Sequence, residues 1–139
     1  MQGHGGGYWD PEEIEKWERK LEETAIYHKN ARFFIMKSKD YDSVQKSHQT
    51  GVWSTTFGPT KRLNEAWIQA GKRGGTSNNP IFLIFSVNES GGYQGFARMT
   101  SRPDAKLKPH VFSREEFDIQ YEDNFAVKWE TKLIQYPFR

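Results

Sequence analysis

Apolar positions along this chain fall into two rhythms, one helical and one extended, with polar or glycine-rich stretches between them. Ile14, Trp17 and Leu21 recur at helical spacing and form one narrow stripe that runs to about Tyr27. Such a stripe docks a helix by one face onto its own domain. Asp10-Pro11-Glu12-Glu13 marks the start: Asp10 suits the cap, Pro11 the first helical position, and Glu13 a capping-box-like pattern. Trp9 is placed to staple against Ile14. A further helix is predicted over Lys61 to Ala70, where Leu63, Ala66, Trp67 and Ala70 share a face, Thr60 caps and Gly71 stops. The Phe57-Gly58-Pro59-Thr60 stretch ahead of it reads as a turn, and Trp67 as core. Between these two, a short helix is capped by Asp40 or Asp42, runs to about His48 and ends at Gly51.

The extended rhythm begins at Ala31 to Met36, a short Phe- and Ile-rich run with the look of a buried strand. Val52 to Thr55 is β-prone. IFLIFSV, residues 81–87, is the most apolar run and predicts a central strand; Asn88 to Gly92 then makes a hairpin turn into Tyr93 to Thr100. Asn124 to Trp129 alternates, with Phe125, Val127 and Trp129 on one side and Ala126 and Lys128 on the other. That is a half-buried strand, with Trp129 as core. Met1 to Gly7 is glycine-rich and expected to be disordered. Gly71 to Pro80 reads as a flexible basic connector. Ser101 to Glu116, polar and basic with Pro103 and Pro109, reads as a long loop, and long loops in small domains are usually functional. The fold class is therefore α+β: one domain with five or six strands curled around a core and helices packed outside.

Composition narrows the function. The 139 residues carry a formal charge of +2, so any basic surface is local. Without cysteine there is no disulfide framework, thiolate catalysis or Cys-based zinc site. No apolar run reaches the roughly 20 residues of a membrane span, and MQGHGGGYWD lacks the regions of a signal peptide. A soluble intracellular chain is expected. The four histidines show no metal-ligand spacing, and no HExxH, GxSxG or Walker pattern occurs. Ser43-x-x-Lys46 matches an SxxK string without its partner motifs, and Asp40 and Asp42 are better explained as helix caps. No enzyme, cofactor or metal is expected.

An aromatic content of 15% offers more. Unpaired RNA bases are read by stacking on aromatic rings and by hydrogen bonds to their edges. Trp53, between Gly51 and Ser54, is the least core-like of the five tryptophans by sequence. Phe112 and Tyr121 lie in or beside the long loop, where they either stack on a ligand or pin the loop down. Lys37, Lys39, Arg98, Arg102, Lys106 and Lys108 supply local charge for phosphates.

Five strings carry a family resemblance: RFFIMKS (32–38), GVWSTT (51–56), KRLNEAW (61–67), IFLIFSVNESGGYQGFARMTSR (81–102) and NFAVKW (124–129). In this order and spacing they resemble the YTH domain, and IQYEDNFAVKW is most similar to the plant and apicomplexan polyadenylation-factor branch. The resemblance implies a PUA-like curled sheet that reads N6-methyladenosine in single-stranded RNA through an aromatic cage. Trp53 supplies the first wall of that cage, Phe112 the second with Phe117 as rival, and Tyr121 the third. The Ser54 carbonyl accepts the remaining N6–H, while the Lys39 backbone and the Ser43 side chain face the ring nitrogens; many members carry Asn or Asp where Ser43 stands. Lys37, Arg98 and Arg102 meet the RNA backbone.

The expected organisation is a flexible segment with a docking helix over residues 1–30. A YTH-like domain follows over 31–139, lacking the family's basic C-terminal segment. The implied setting is mRNA processing in a larger protein, as a monomeric domain in the nucleus or cytoplasm, the nucleus favoured. Two further readings stay open: a YTH-like module for an unmethylated RNA motif, and a protein-interaction scaffold.

Overall fold

In the computed structural model, which describes residues 10–112, 115–116 and 119–138, the Asp10 carboxylate accepts the Glu12 N–H at 3.0 Å and starts helix α1 (Pro11–Tyr27). Glu13 turns to Lys16, 3.3 Å away, and Lys132, 3.9 Å away, rather than back to the cap. Trp9 and Met1 to Gly7 lie outside the described residues. Helices α2 (Tyr41–Thr50) and α3 (Phe57–Gly71) complete the helices of the described residues. Asp40, not Asp42, caps α2 by accepting the Ser43 N–H at 2.8 Å. Gly51 ends α2 at φ 76°, a left-handed conformation that favours glycine.

The extended runs form a five-stranded mixed sheet: β1 (Arg32–Ser38), β2 (Val52–Trp53), β3 (Ile81–Val87), β5 (Gly95–Met99) and β8 (Phe125–Trp129), in the spatial order β1-β3-β5-β8-β2. β1 and β3 are parallel; the other pairs are antiparallel. Between β3 and β5 the expected partner strand breaks at Gln94. Its first piece, β4 (Gly92–Tyr93), pairs with β9 (Tyr136–Pro137). A Cβ at Gly92 would collide with the Tyr136 carbonyl, so this crossing needs glycine. The expected long loop is irregular to Phe112 and then carries a small hairpin of β6 (Glu115–Glu116) and β7 (Ile119–Gln120).

β3 is covered on both faces, which is why IFLIFSV is apolar at nearly every position instead of alternating. On one face Leu83 and Phe85 pack with Met36, Val44, Leu63 and Phe125 under α2 and α3. On the other, Phe82 and Phe96 pack with Trp17 of α1 and with Ile134. Trp17 is stacked on Tyr136 at 4.5 Å between centroids.

Four expectations are corrected. β1 is an edge strand, not a buried one: Phe33 and Ile35 are 39% and 48% exposed, because α1 sits over Phe82 and Phe96 and leaves the outer strand uncovered. The Phe57–Thr60 turn is the first turn of α3, capped from Thr56 without a side-chain bond. Pro59 is tolerated there because its missing N–H would have no intrahelical partner. The connector 71–80 is held in place: the Asn79 side chain donates to the carbonyls of Arg73 at 2.9 Å and Gly75 at 3.1 Å. Trp67 is half-buried, against the core rather than in it.

Candidate functional site

The last residues of β1, the first turns of α2 and the end of β2 converge beside the long loop. Among them lies a cavity of about 130 Å³, smaller than the roughly 300 Å³ at which drug-sized pockets begin. It suits one flat ring system rather than an extended ligand. β1 and the turn after it contribute Lys37, Ser38 and Lys39; α2 contributes Ser43 and Lys46. β2 and its exit give Trp53, Ser54 and Thr55, and the loop gives Phe112 and Tyr121.

Trp53 is only 3% exposed and belongs to the core, against the expectation that it would be the least core-like tryptophan. The pleat of β2 turns its ring onto the core, against Phe85 at 5.0 Å and 87°. Phe112 meets it at 5.6 Å and 78°. The two rings are thus in edge-to-face contact and form a corner, not two parallel walls. The Trp53 indole N–H is buried with no partner among the described residues, although such groups are normally satisfied.

Backbone geometry aims Ser54 at the cavity. Gly51 accepts from the Val127 N–H at 2.9 Å and Trp53 pairs with Phe125, so by the antiparallel alternation the Ser54 N–H and C=O point away from β8. The Ser54 hydroxyl donates to the Glu122 carbonyl at 2.7 Å, and the Glu122 N–H donates to Thr55 at 2.8 Å. These two bonds tie the residue after Tyr121 to β2. Ser43 is half-buried, its N–H taken by Asp40, its hydroxyl facing the cavity without a partner among the described residues. Lys39 lies over the Tyr121 ring with Nζ 5.8 Å from the centroid, and Lys46 over Phe112 at 5.4 Å. Both cations lean on aromatic walls at the rim.

Seven of the nine residues expected at the site line this one cavity: Lys37, Lys39, Ser43, Trp53, Ser54, Phe112 and Tyr121. Phe117, the rival for the second wall, lies outside the described residues. Arg98 and Arg102 stand elsewhere. Arg98 is on the α1 face of the sheet, its guanidinium 5.2 Å from the Phe82 centroid and 3.4 Å from His28 Nε2. Arg102 donates to Asn64 Oδ1 at 2.9 Å, in a neighbouring groove with Lys61 and Glu122. Of the loop lysines, Lys108 donates to the Thr50 carbonyl at 2.6 Å. Lys46 was not foreseen at the site. Its helical spacing from Ser43, set aside as a chance SxxK string, is what brings both to one wall.

Among the described residues no group of three or more potential metal ligands gathers, and no helix is long and apolar enough to cross a membrane.

Comparison with known proteins places this arrangement. The family model described as the YT521-B-like domain, YTH, matches residues 31–137. The chain is 36% identical over 107 residues to the "30-kDa cleavage and polyadenylation specificity factor 30" of Arabidopsis thaliana, covering 77% of this chain but 16% of that protein. Two solved structures share the fold. The Toxoplasma CPSF4 YTH domain in complex with a 7-mer m6A-modified RNA has 38% identity and a TM-score of 0.61, covering 73% of this chain and 62% of that one. The Pho92 YTH domain in complex with m6A has 33% identity and a TM-score of 0.62, covering 74% and 60%. With its matched segment, its three helices and its curled five-stranded mixed sheet, the chain belongs to the YTH family.

Proposed function

We propose that the cavity at Trp53 receives the base of N6-methyladenosine in single-stranded RNA, with no catalytic step. The YTH family is one of non-catalytic readers. The observation that carries the reading is convergence: four separate segments bring aromatic faces, polar groups and a lysine rim to one ring-sized cavity. Relatives with over 30% identity have been solved with m6A or m6A-modified RNA.

The base stacks in the space bounded by the Trp53–Phe112 corner and by Tyr121. The Ser54 carbonyl accepts the remaining N6–H, and the Ser43 hydroxyl and Lys39 backbone meet the ring nitrogens. N6-methyladenine is neutral, so the methyl is held by dispersion and apolar burial, not by cation–π attraction. One buried methyl contributes about 0.8 kcal/mol by area, and a shaped pocket raises this to roughly 1–3 kcal/mol. Stacking adds about 1–3 kcal/mol per base for methylated and unmethylated RNA alike. Lys37, Lys39 and Lys46 at the rim meet flanking phosphates.

The test is titration of one short RNA with and without a single N6-methyl group. A preference of about ten- to two-hundredfold is expected for the methylated strand. Equal affinity for the two strands would refute the reading and favour an unmethylated motif. No binding even at low salt would favour a protein scaffold.

A further inference from the structure

We propose a second RNA contact, a phosphate-binding cleft at the far end of β1, where Lys29, Arg32 and Arg73 surround a cavity of about 480 Å³. It rests on the reading above in one respect, that RNA is the ligand. Lys29 follows α1, Arg32 opens β1 and Arg73 follows α3, so three elements deliver three cations to one hollow. No carboxylate lines it, and none of the three cations has an ion-pair partner among the described residues. Clustered cations without counter-charges repel one another, which an anionic ligand relieves.

The cleft is built rather than incidental. The Arg32 guanidinium lies 5.0 Å over the Phe34 ring, which restricts its stem, and Arg32 lines the hollow. The Arg32 N–H donates to the Pro80 carbonyl at 3.0 Å, tying β1 to the loop that carries Arg73. Asn79 clamps that loop through the Arg73 and Gly75 carbonyls. The negative end of α3 is not offered to the ligand: the Ile68, Gln69 and Ala70 carbonyls are taken by the N–H groups of Lys72, Arg73 and Gly75. Asn30 and Gln69 add neutral donors at the wall.

Its distance from the base cavity suits a continuous strand. Arg32 and Lys39 are seven residues apart, about 23 Å at the rise of a parallel strand. α3, 15 residues long, runs from the cavity side to the cleft over about 22 Å. One RNA laid along β1 and α3 can therefore reach both.

The experiment compares a short methylated RNA with one lengthened on either side to roughly 16 nucleotides, over a series of salt concentrations. Three extra phosphate contacts make the logarithmic salt slope steeper by about 2 for the longer strand. Arg73→Gln and Lys29→Gln, both exposed, each restore about 0.7 of that difference and leave the short RNA unaffected. If the longer RNA binds with the short strand's affinity and slope, or if both variants leave its slope unchanged, the cleft is not an RNA site. The two proposals fail separately: loss of methyl preference with the length effect intact overturns only the base cavity, and the converse only the cleft.

Discussion

Trp53 has two roles that one substitution cannot separate. Its ring is a wall of the cavity and, at 3% exposure, a member of the core against Phe85. Trp53→Ala therefore costs about 3–5 kcal/mol of stability, the range for removing a buried tryptophan, as well as any stacking. Trp53→Phe keeps an aromatic face and most of the apolar area. Denaturant unfolding and RNA titration on both variants resolve the two roles. The alanine variant is expected to lose stability and methyl preference together. The phenylalanine variant is expected to lose little stability and to keep a reduced preference. A folded alanine variant with full methyl preference would remove Trp53 from the cage. The unpartnered indole N–H fits a position held by shape rather than by hydrogen bonding.

At the level of elements, the cavity depends on a tether between β2 and the loop. Ser54→Ala deletes the 2.7 Å bond to the Glu122 carbonyl, worth about 0.5–1.5 kcal/mol of stability. It also frees the segment that presents Tyr121. Affinity for methylated RNA is expected to fall towards that for unmethylated RNA, which changes little. An equal fall for both strands would mean that the tether supports phosphate contacts instead. Such a tether is hard to see in sequence, since it joins residues 68 positions apart. The elements themselves were more legible. Asp10 and Gly51 marked their helix ends correctly because caps are local chemistry. Pro59 misled because proline in a first helical turn looks like proline in a loop. β1 misled because an edge strand and an inner strand share the same apolar pattern, and only the strand order separates them.

Across the whole molecule, the pleat of the sheet sorts its aromatic side chains between two faces. Phe85 and Trp53 lie on the side of α2, α3 and the base cavity; Phe82, Phe96 and Arg98 lie on the side of α1. Arg98 could be counted as a basic residue in sequence, but its face follows from pairing register, Phe82 opposite Arg98. Trp53 and Tyr121 were legible through motif strings and Phe112 only by its place in the loop; the cationic cleft was not legible, because its members come from three separated segments. α1 precedes the matched residues 31–137 and yet closes the smaller of the two core clusters. Starting the chain at Ala31 would strip Trp17 from Phe82, Phe96 and Tyr136. The loss should at least equal the roughly 3–5 kcal/mol of a buried tryptophan, a large share of the 5–15 kcal/mol typical of a domain. Denaturant unfolding of the truncated and full chains measures it directly. Whatever fraction stays folded is expected to keep its methyl preference, because α1 and the base cavity lie on opposite faces. A truncated chain as stable as the full one would show that the α1 face is closed without the helix. Lost methyl preference in a folded truncation would show that the two faces are coupled through β3.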